Sequence, residues 1–225
     1  MLVSHRHQFI YAKTLKTAGT SVESYFEPYC MAEGTWSQAE HRPETVTAHG
    51  IIGHRSAGQR ADRQWWNHMT AERIRRQLGD EQWARYYKFC VIRNPFDKAL
   101  SMFYFQKQRG VFTPVGDTEP EQFEHWAASE LLYSDRHIYV MEDRVAMDTL
   151  IRYESLTQDI ERVCVHLGLP WQPERLPHFT SGFRPRAATP RAIYTARAVE
   201  LVATVYDFEL KTFGYRFDHV APSPC

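Results

Sequence analysis

No stretch of the 225-residue chain approaches the roughly 20 consecutive apolar residues that span a bilayer, so a membrane-spanning helix is not expected. The opening Met1-Leu2-Val3-Ser4-His5-Arg6-His7 lacks the apolar run of a secretory signal, and the expectation is a cytoplasmic protein. Cysteine is sparse. Cys30, Cys90, Cys164 and Cys225 form no CxxC pair, which argues against both a zinc ribbon and a disulfide framework. There is no internal repeat, no low-complexity tract and no evident linker, so one domain over 1–225 is expected. Net charge is also missing: 27 basic side chains meet 27 acidic ones, without the basic excess usual in a nucleic-acid protein. Lysine is scarce as well, at six against 21 arginines, and arginine is the side chain that grips phosphate or sulfate through two bonds at once.

The neutral total is unevenly spread. Residues 1–112 hold 16 basic and 10 acidic side chains, and residues 113–225 hold 11 and 17. Helix surfaces alone could produce this, but an anion site built by the first half would too. Phe9-Ile10-Tyr11-Ala12 and Lys88-Phe89-Cys90-Val91-Ile92 suit buried strands, and Thr149 to Tyr153 a further one. Gly50-Ile51-Ile52-Gly53 is a short strand candidate within an otherwise irregular 29–64. Thr70 caps a helix ending at Leu78 before Gly79, and Asp80 caps another to Ala84 or Arg85. Pro95 opens a helix to Gln108. Residues 113–161, with 12 acids and three arginines, read as solvated helices and loops. Ser155 to Leu167 reads as an amphipathic helix stopped by Gly168, and Pro190 to Phe213 contains the last long one. Strands alternating with helices imply an α/β fold with a parallel sheet covered on both faces.

Two segments carry chemistry. In Lys16-Thr17-Ala18-Gly19-Thr20-Ser21, between a strand and a helix, small residues let backbone amides approach an anion, the helix start favours negative charge and the lysine adds a cation. The alternative is an ordinary helix capped by Thr or Ser. The segment is no Walker A loop: GxxxxGK[ST] needs lysine directly after the second glycine, and here the lysines precede Gly19. In Ile92-Arg93-Asn94-Pro95-Phe96-Asp97-Lys98-Ala99-Leu100-Ser101, Arg93 leaves the end of a buried strand, where α/β ligand sites lie, and Ser101 follows eight residues on. A guanidinium and a hydroxyl meeting there suit a terminal phosphate; pairing of Arg93 with an acid and helix packing of Ser101 are the plain alternatives.

Together, KTAGTS and VIRNPFDKALSMFYF resemble the two cofactor signatures of sulfotransferases that use 3′-phosphoadenosine 5′-phosphosulfate (PAPS). Arg152-Tyr153-Glu154-Ser155-Leu156 is similar to that family's RYEDL. Val205 to Tyr215 is similar to the closing pattern of the branch with heparan-sulfate 2-O- and chondroitin sulfotransferases. The likeness touches residues from about 9 to 215. It implies a P-loop-like three-layer sandwich, with a central parallel sheet flanked by helices, and transfer of a sulfuryl group to a hydroxyl of a carbohydrate or small metabolite without a metal. It implies that Lys16, Thr17, Ala18, Gly19, Thr20 and Ser21 hold the 5′-phosphosulfate and that Arg93 and Ser101 hold the 3′-phosphate. Leu15 stands where the family usually has proline, and Lys98 where arginine is common. A kinase-like phosphotransferase and a non-catalytic nucleotide binder are the competing readings.

Lys16 is the group expected to stabilise the leaving oxygen; Lys13 is a weaker candidate. Among 11 histidines, His68 resembles the catalytic histidine of this branch in its place before a helix and ahead of Arg93. His54, His49 and the acid Glu23 follow it as candidate bases. The spacing of His49 and His54 comes without the further ligands zinc requires. Trp65-Trp66 and Phe103-Tyr104-Phe105 could stack on a flat acceptor but fit a core better. Arg184 and Arg186 are candidate late contacts to the 3′-phosphate.

Overall fold

The computed structural model describes residues 1–55, 62–177, 179 and 183–219. In chain order its strands are β1 (Leu2–Ser4), β2 (Phe9–Ala12), β3 (Thr45–Thr47), β4 (Gly50–Ile52), β5 (Tyr87–Ile92), β6 (Val140–Met141), β7 (Arg144–Val145) and β8 (Thr149–Arg152). The helices are α1 (Gly19–Phe26), α2 (Ala71–Leu78), α3 (Asp80–Arg85), α4 (Pro95–Gln108), α5 (Glu119–Ala127), α6 (Leu156–Leu167), α7 (Pro190–Ile193), α8 (Ala196–Val205) and α9 (Asp207–Phe213). No helix among the described residues is long and apolar enough to cross a membrane. The chain forms two compact units. One comprises Met1–Ile92 and Asp135–Phe179; the other comprises Arg93–Ser134 and the described residues of Thr180–Cys225.

The first unit holds a six-stranded mixed sheet in the order β3-β4-β1-β2-β5-β8. β2, β5 and β8 run parallel, with Phe9 to Ala12 opposite Tyr87 to Cys90, and Phe89 to Ile92 opposite Thr149 to Arg152. β1, β3 and β4 pair antiparallel. The sheet is therefore parallel over only half its width, short of the fully parallel one expected. The strands responsible, β1 and β3, are three residues each and carry no legible alternation. Because side chains alternate across a strand, Phe9, Tyr11, Phe89, Val91 and Ile151 share one face. They pack there with Val22, Tyr25 and Phe26 of α1 and Ile160, Val163 and Cys164 of α6. Local signals set the helix ends. The Thr70 hydroxyl accepts the Arg73 N–H at the start of α2, Gly79 follows with φ 92°, and Gly168 closes α6 in the left-handed region at φ 64°.

The second unit is helical. α4 begins at Pro95 behind Asn94, whose side chain accepts the Phe96 N–H. Phe103 of α4 meets Phe123 and Trp126 of α5 edge to face, and the Trp126 indole donates to Gln106 at 2.7 Å. The helical segment expected within 190–213 divides into α7, α8 and α9: the Thr195 hydroxyl caps α8 at the Ala198 N–H, which separates it from α7, and a second break falls at Tyr206, ahead of α9.

Gly50, first residue of β4, has no room for a side chain: a Cβ would lie 2.3 Å from the Val3 carbonyl oxygen and 2.9 Å from backbone atoms of Cys30. Both obstacles are main chain, so no rotamer change relieves them. Gly50→Ala is expected to destabilise by about 2 kcal/mol and lower the melting temperature by about 5 °C in a thermal unfolding scan. An unchanged transition would show that the β1–β4 pair spreads freely.

Candidate active site

Six residues, Lys13 to Ala18, carry the chain from β2 into α1. Lys16 and Ala18 have φ of 55° and 56°, conformations that cost a non-glycine residue on the order of 1–3 kcal/mol and persist only when the surroundings dictate them. The surroundings do. The buried Thr14 hydroxyl donates to the Val91 carbonyl of β5 and lies 2.8 Å from the Thr17 hydroxyl. The Leu15 N–H donates to the Asp135 carboxylate at 2.6 Å. Ala18, left-handed, is followed by right-handed Gly19, a pairing that turns successive N–H groups into one concavity suited to an anion. The ordinary Thr or Ser cap is not what forms: the N-cap is Ala18, α1 has no side-chain cap, and its first turn carries no acid. Gly19 is needed there because a Cβ would come within 2.9 Å of the Lys13 side chain and 3.2 Å of the Thr14 carbonyl. The Thr17 hydroxyl is turned inward to Thr14. Thr20 accepts from Lys13 Nζ and Ser21 from the Phe179 N–H, so both hydroxyls keep a proton to donate.

His68 sits against this segment. Its Nδ1 is 2.9 Å from the Lys13 carbonyl. A carbonyl only accepts, so Nδ1 carries the hydrogen and Nε2 carries the lone pair. Burial first, then the positive charges of Lys13 and the Met1 amine, push the imidazole pKa down to about 3. It is neutral throughout the physiological range. The residue has φ 59°, a further strained position beside the loop.

Beneath the loop lies a buried ion network. Glu23 of α1 accepts from Lys13 Nζ at 2.8 Å, from Arg55 at 2.7 Å and from the Met1 amine at 2.5 Å. Arg55 also bridges to Glu27, which accepts from Arg42 at 3.0 Å. Burial opposes ionisation of Glu23, but Lys13, the Met1 amine and Arg55 outweigh it and hold the carboxyl well below the usual range. Glu23 is therefore committed to structure and has no lone pair directed to a substrate. Lys13 is likewise committed, by burial and by Glu23 and Thr20. His49 is exposed. His54 Nδ1 is buried without a partner among the described residues. No cluster of histidine, cysteine or acids able to hold a metal occurs among the described residues. Trp65 is buried, and Trp66 lies under the Arg73 guanidinium at 4.3 Å.

A groove of about 730 Å³ opens nearby in the same unit. Thr70 on one wall follows His68 by two residues; His137 on the other follows Asp135 by two. Both walls thus start at residues bonded to the loop. Arg75 pairs with Asp80 and Arg76 with Glu72, and Met141 and Glu142 also line the groove.

In the second unit, Arg93 follows directly on β5. Its guanidinium grips Asp97 through Nε at 2.6 Å and Nη2 at 2.5 Å, and Arg184 reaches the other oxygen of Asp97 at 2.5 Å. Two guanidiniums thus converge on the buried Asp97 carboxylate. Ser101, two turns into α4, is half-buried, as is Phe105, while Phe103 and Tyr104 belong to the core. Arg186 is exposed. Asp97, Arg55 and Asp135 were not singled out in the sequence. Only the stray N–H of Leu15, in a place where proline is usual, hinted that an acceptor must exist.

A family model described as the sulfotransferase family matches residues 1–216. A protein of Archaeoglobus fulgidus, described as uncharacterized, is 28% identical over 104 residues, covering 45% of this chain and 84% of that one. No solved structure matches the chain.

Glu23→Gln removes the charge that compensates buried Lys13 and Arg55, and is expected to destabilise by about 3–5 kcal/mol in denaturant unfolding at neutral pH. The folded-state pKa of Glu23 is depressed, so its contribution is present above the ordinary carboxyl value of 4.5 and is lost as pH falls below it. The gap between wild type and variant is expected to narrow there; a gap independent of pH would rule out the charge as its origin.

Proposed function

The chain belongs to the sulfotransferase family, and from that premise we propose that it transfers a sulfuryl group from PAPS to a hydroxyl of a small, uncharged carbohydrate or polyol. The observation that carries this reading is the pairing of a lysine turn with a histidine of fixed tautomer on one short segment, Lys13 to Ala18 with His68. The parallel strands β2, β5 and β8, with the loop between β2 and α1, support a P-loop-like arrangement for the fold.

The donor supplies an activated sulfuryl group whose leaving fragment is the 3′,5′-bisphosphate PAP. Backbone amides at Ala18, Gly19 and Thr20, with the Thr20 and Ser21 hydroxyls, receive the 5′ end, which fits a helix start without a side-chain cap or acid. Arg93 and Ser101 receive the 3′-phosphate, and Arg184, sharing Asp97 with Arg93, adds its charge. Lys16 stabilises the charge that grows on the leaving oxygen. His68 Nε2 accepts the proton of the acceptor hydroxyl as its oxygen bonds to sulfur. The low resting basicity of His68 comes from burial and nearby cations; an anion in the loop offsets those cations and raises it.

The groove between Thr70 and His137 supplies the acceptor side. Glu72, Asp80 and Glu142 there more than match Arg75 and Arg76, so it offers donors and acceptors to hydroxyls but no excess positive charge for a polysulfated chain. Neutral sugars and polyols are therefore expected to turn over faster than sulfated glycans in an acceptor panel; the reverse order would overturn this assignment.

PAP is expected to raise the melting temperature well above the shift given by the same concentration of ATP, which lacks a 3′-phosphate. Arg93→Ala is expected to reduce the PAP shift more than Ser101→Ala, because a charge-assisted bond is the stronger. Equal shifts from ATP and PAP would remove the 3′-phosphate pocket.

His68→Ala is expected to lower turnover about 10²–10⁴-fold with PAP binding nearly unchanged. The pH profile of kcat/KM, which reports the free enzyme, is expected to stay level from about pH 8 to about pH 5, since His68 titrates far below an ordinary histidine. Near-normal turnover of the variant, or a profile falling near pH 6.5, would assign the proton to another group.

A further inference from the structure

Leu15 gives the transfer loop a problem that its own residues do not solve. A proline there would fix φ and carry no N–H. Leucine leaves the backbone rotatable one residue before the strained Lys16, and it adds a half-buried donor that needs an acceptor. The acceptor comes from 120 residues away: Asp135, fully buried, takes the Leu15 N–H at 2.6 Å. A short bond from a backbone N–H to a carboxylate is among the stronger hydrogen bonds available to a protein.

We propose that Asp135 is the positioning residue of the transfer loop, holding the Leu15 N–H so that Lys16 stays in the left-handed turn that aims its side chain at the leaving oxygen. The inference rests on the sulfotransferase reading for the role of Lys16, but the conformational claim stands on this unit's geometry alone. Two ties bracket the turn. The Thr14 hydroxyl fastens one side to β5 and to Thr17, and Asp135 fastens the Thr14–Leu15 peptide through its N–H. A left-handed non-glycine residue relaxes when its neighbours are released, and without the Leu15 tie the Thr14–Leu15 peptide ahead of Lys16 loses the carboxylate that fixes its orientation. The same aspartate starts the single turn Arg136–Ile138, where the Ile138 N–H bonds to the Asp135 carbonyl at 3.0 Å. That turn bears His137 on the groove wall. Asp135 therefore registers the acceptor wall against the loop that carries the leaving-group lysine.

Four proteins test this: Asp135→Ala, Asp135→Asn, Leu15→Pro and the Leu15→Pro/Asp135→Ala double variant. Two readouts are taken, kcat with PAPS and the ¹³Cα shift of Lys16, which reports its left-handed conformation. Asp135→Ala is expected to lose about 10²-fold in kcat, the scale of a small misplacement of a catalytic group, with the Lys16 shift moving towards the ordinary range. Asp135→Asn keeps an acceptor oxygen and is expected to stay within about tenfold of wild type. Proline removes both the stray donor and the loose φ, so the double variant is expected to regain the Lys16 shift and most of the lost turnover. Should Asp135→Ala fail to fold, the double variant is compared with Leu15→Pro alone: equal values support the proposal, and a loss of the Lys16 shift overturns it. A folded Asp135→Ala with an unchanged Lys16 shift, or a double variant no better than Asp135→Ala, also overturns it. If wild type binds no PAP and transfers no sulfate, the sulfotransferase reading fails, while the Lys16 shift still decides whether Asp135 sets the turn.

Discussion

The carboxylate of Glu23 is the contact on which the first unit's site depends. It sits on α1 with no exposure and draws Lys13, Arg55 and the Met1 amine to itself. A buried carboxylate without partners would be untenable, and three cations without it would be equally so. The network therefore forms as a whole. Its consequence reaches the chemistry through one residue. Lys13, held by its ammonium, presents its carbonyl to His68 Nδ1 and so decides which nitrogen of that imidazole bears the lone pair. Burial first, and then the charges of Lys13 and the Met1 amine from the same network, lower the basicity of His68.

The second unit solves a related problem with fewer groups. Arg93 and Arg184 share Asp97, which gives each guanidinium a fixed direction. Burial of the carboxylate and of Arg93 keeps the arrangement from dissolving into water as a surface pair would. An anion arriving there meets a cluster already oriented, which reduces the ordering that binding must otherwise impose. Asp97 lies one turn after Arg93 on α4, which is why a motif with arginine at the strand end and an acid four residues on can build this from local geometry.

Much of the framework could be read from local pattern. β2 and the ends of α2, α4 and α6 agree with apolar runs, Thr70, Pro95 and the glycines at 79 and 168. Those signals are strong because they act within one turn. The strands β1 and β3 and the hairpin β6–β7 could not be read, since two or three residues hold no period, and their pairing energy comes from partners distant in sequence. Within 190–213 the composition favoured helix throughout, and only the structure shows the divisions at Thr195, where the side chain caps α8, and at Tyr206.

What the sequence by itself determined is the chemical inventory: a lysine before a small-residue turn, a strand ending in arginine, a histidine before a capped helix. These follow from residue type and short spacing. Which of the candidates are usable was decided only by tertiary structure. Glu23 and Lys13 look as available as Lys16 in the sequence, yet burial and mutual pairing commit both. Asp135 is one of 12 acids in an acidic stretch, and nothing local distinguishes it. Its role exists because folding brings residue 135 to within 2.6 Å of residue 15 and buries the carboxylate that accepts the bond.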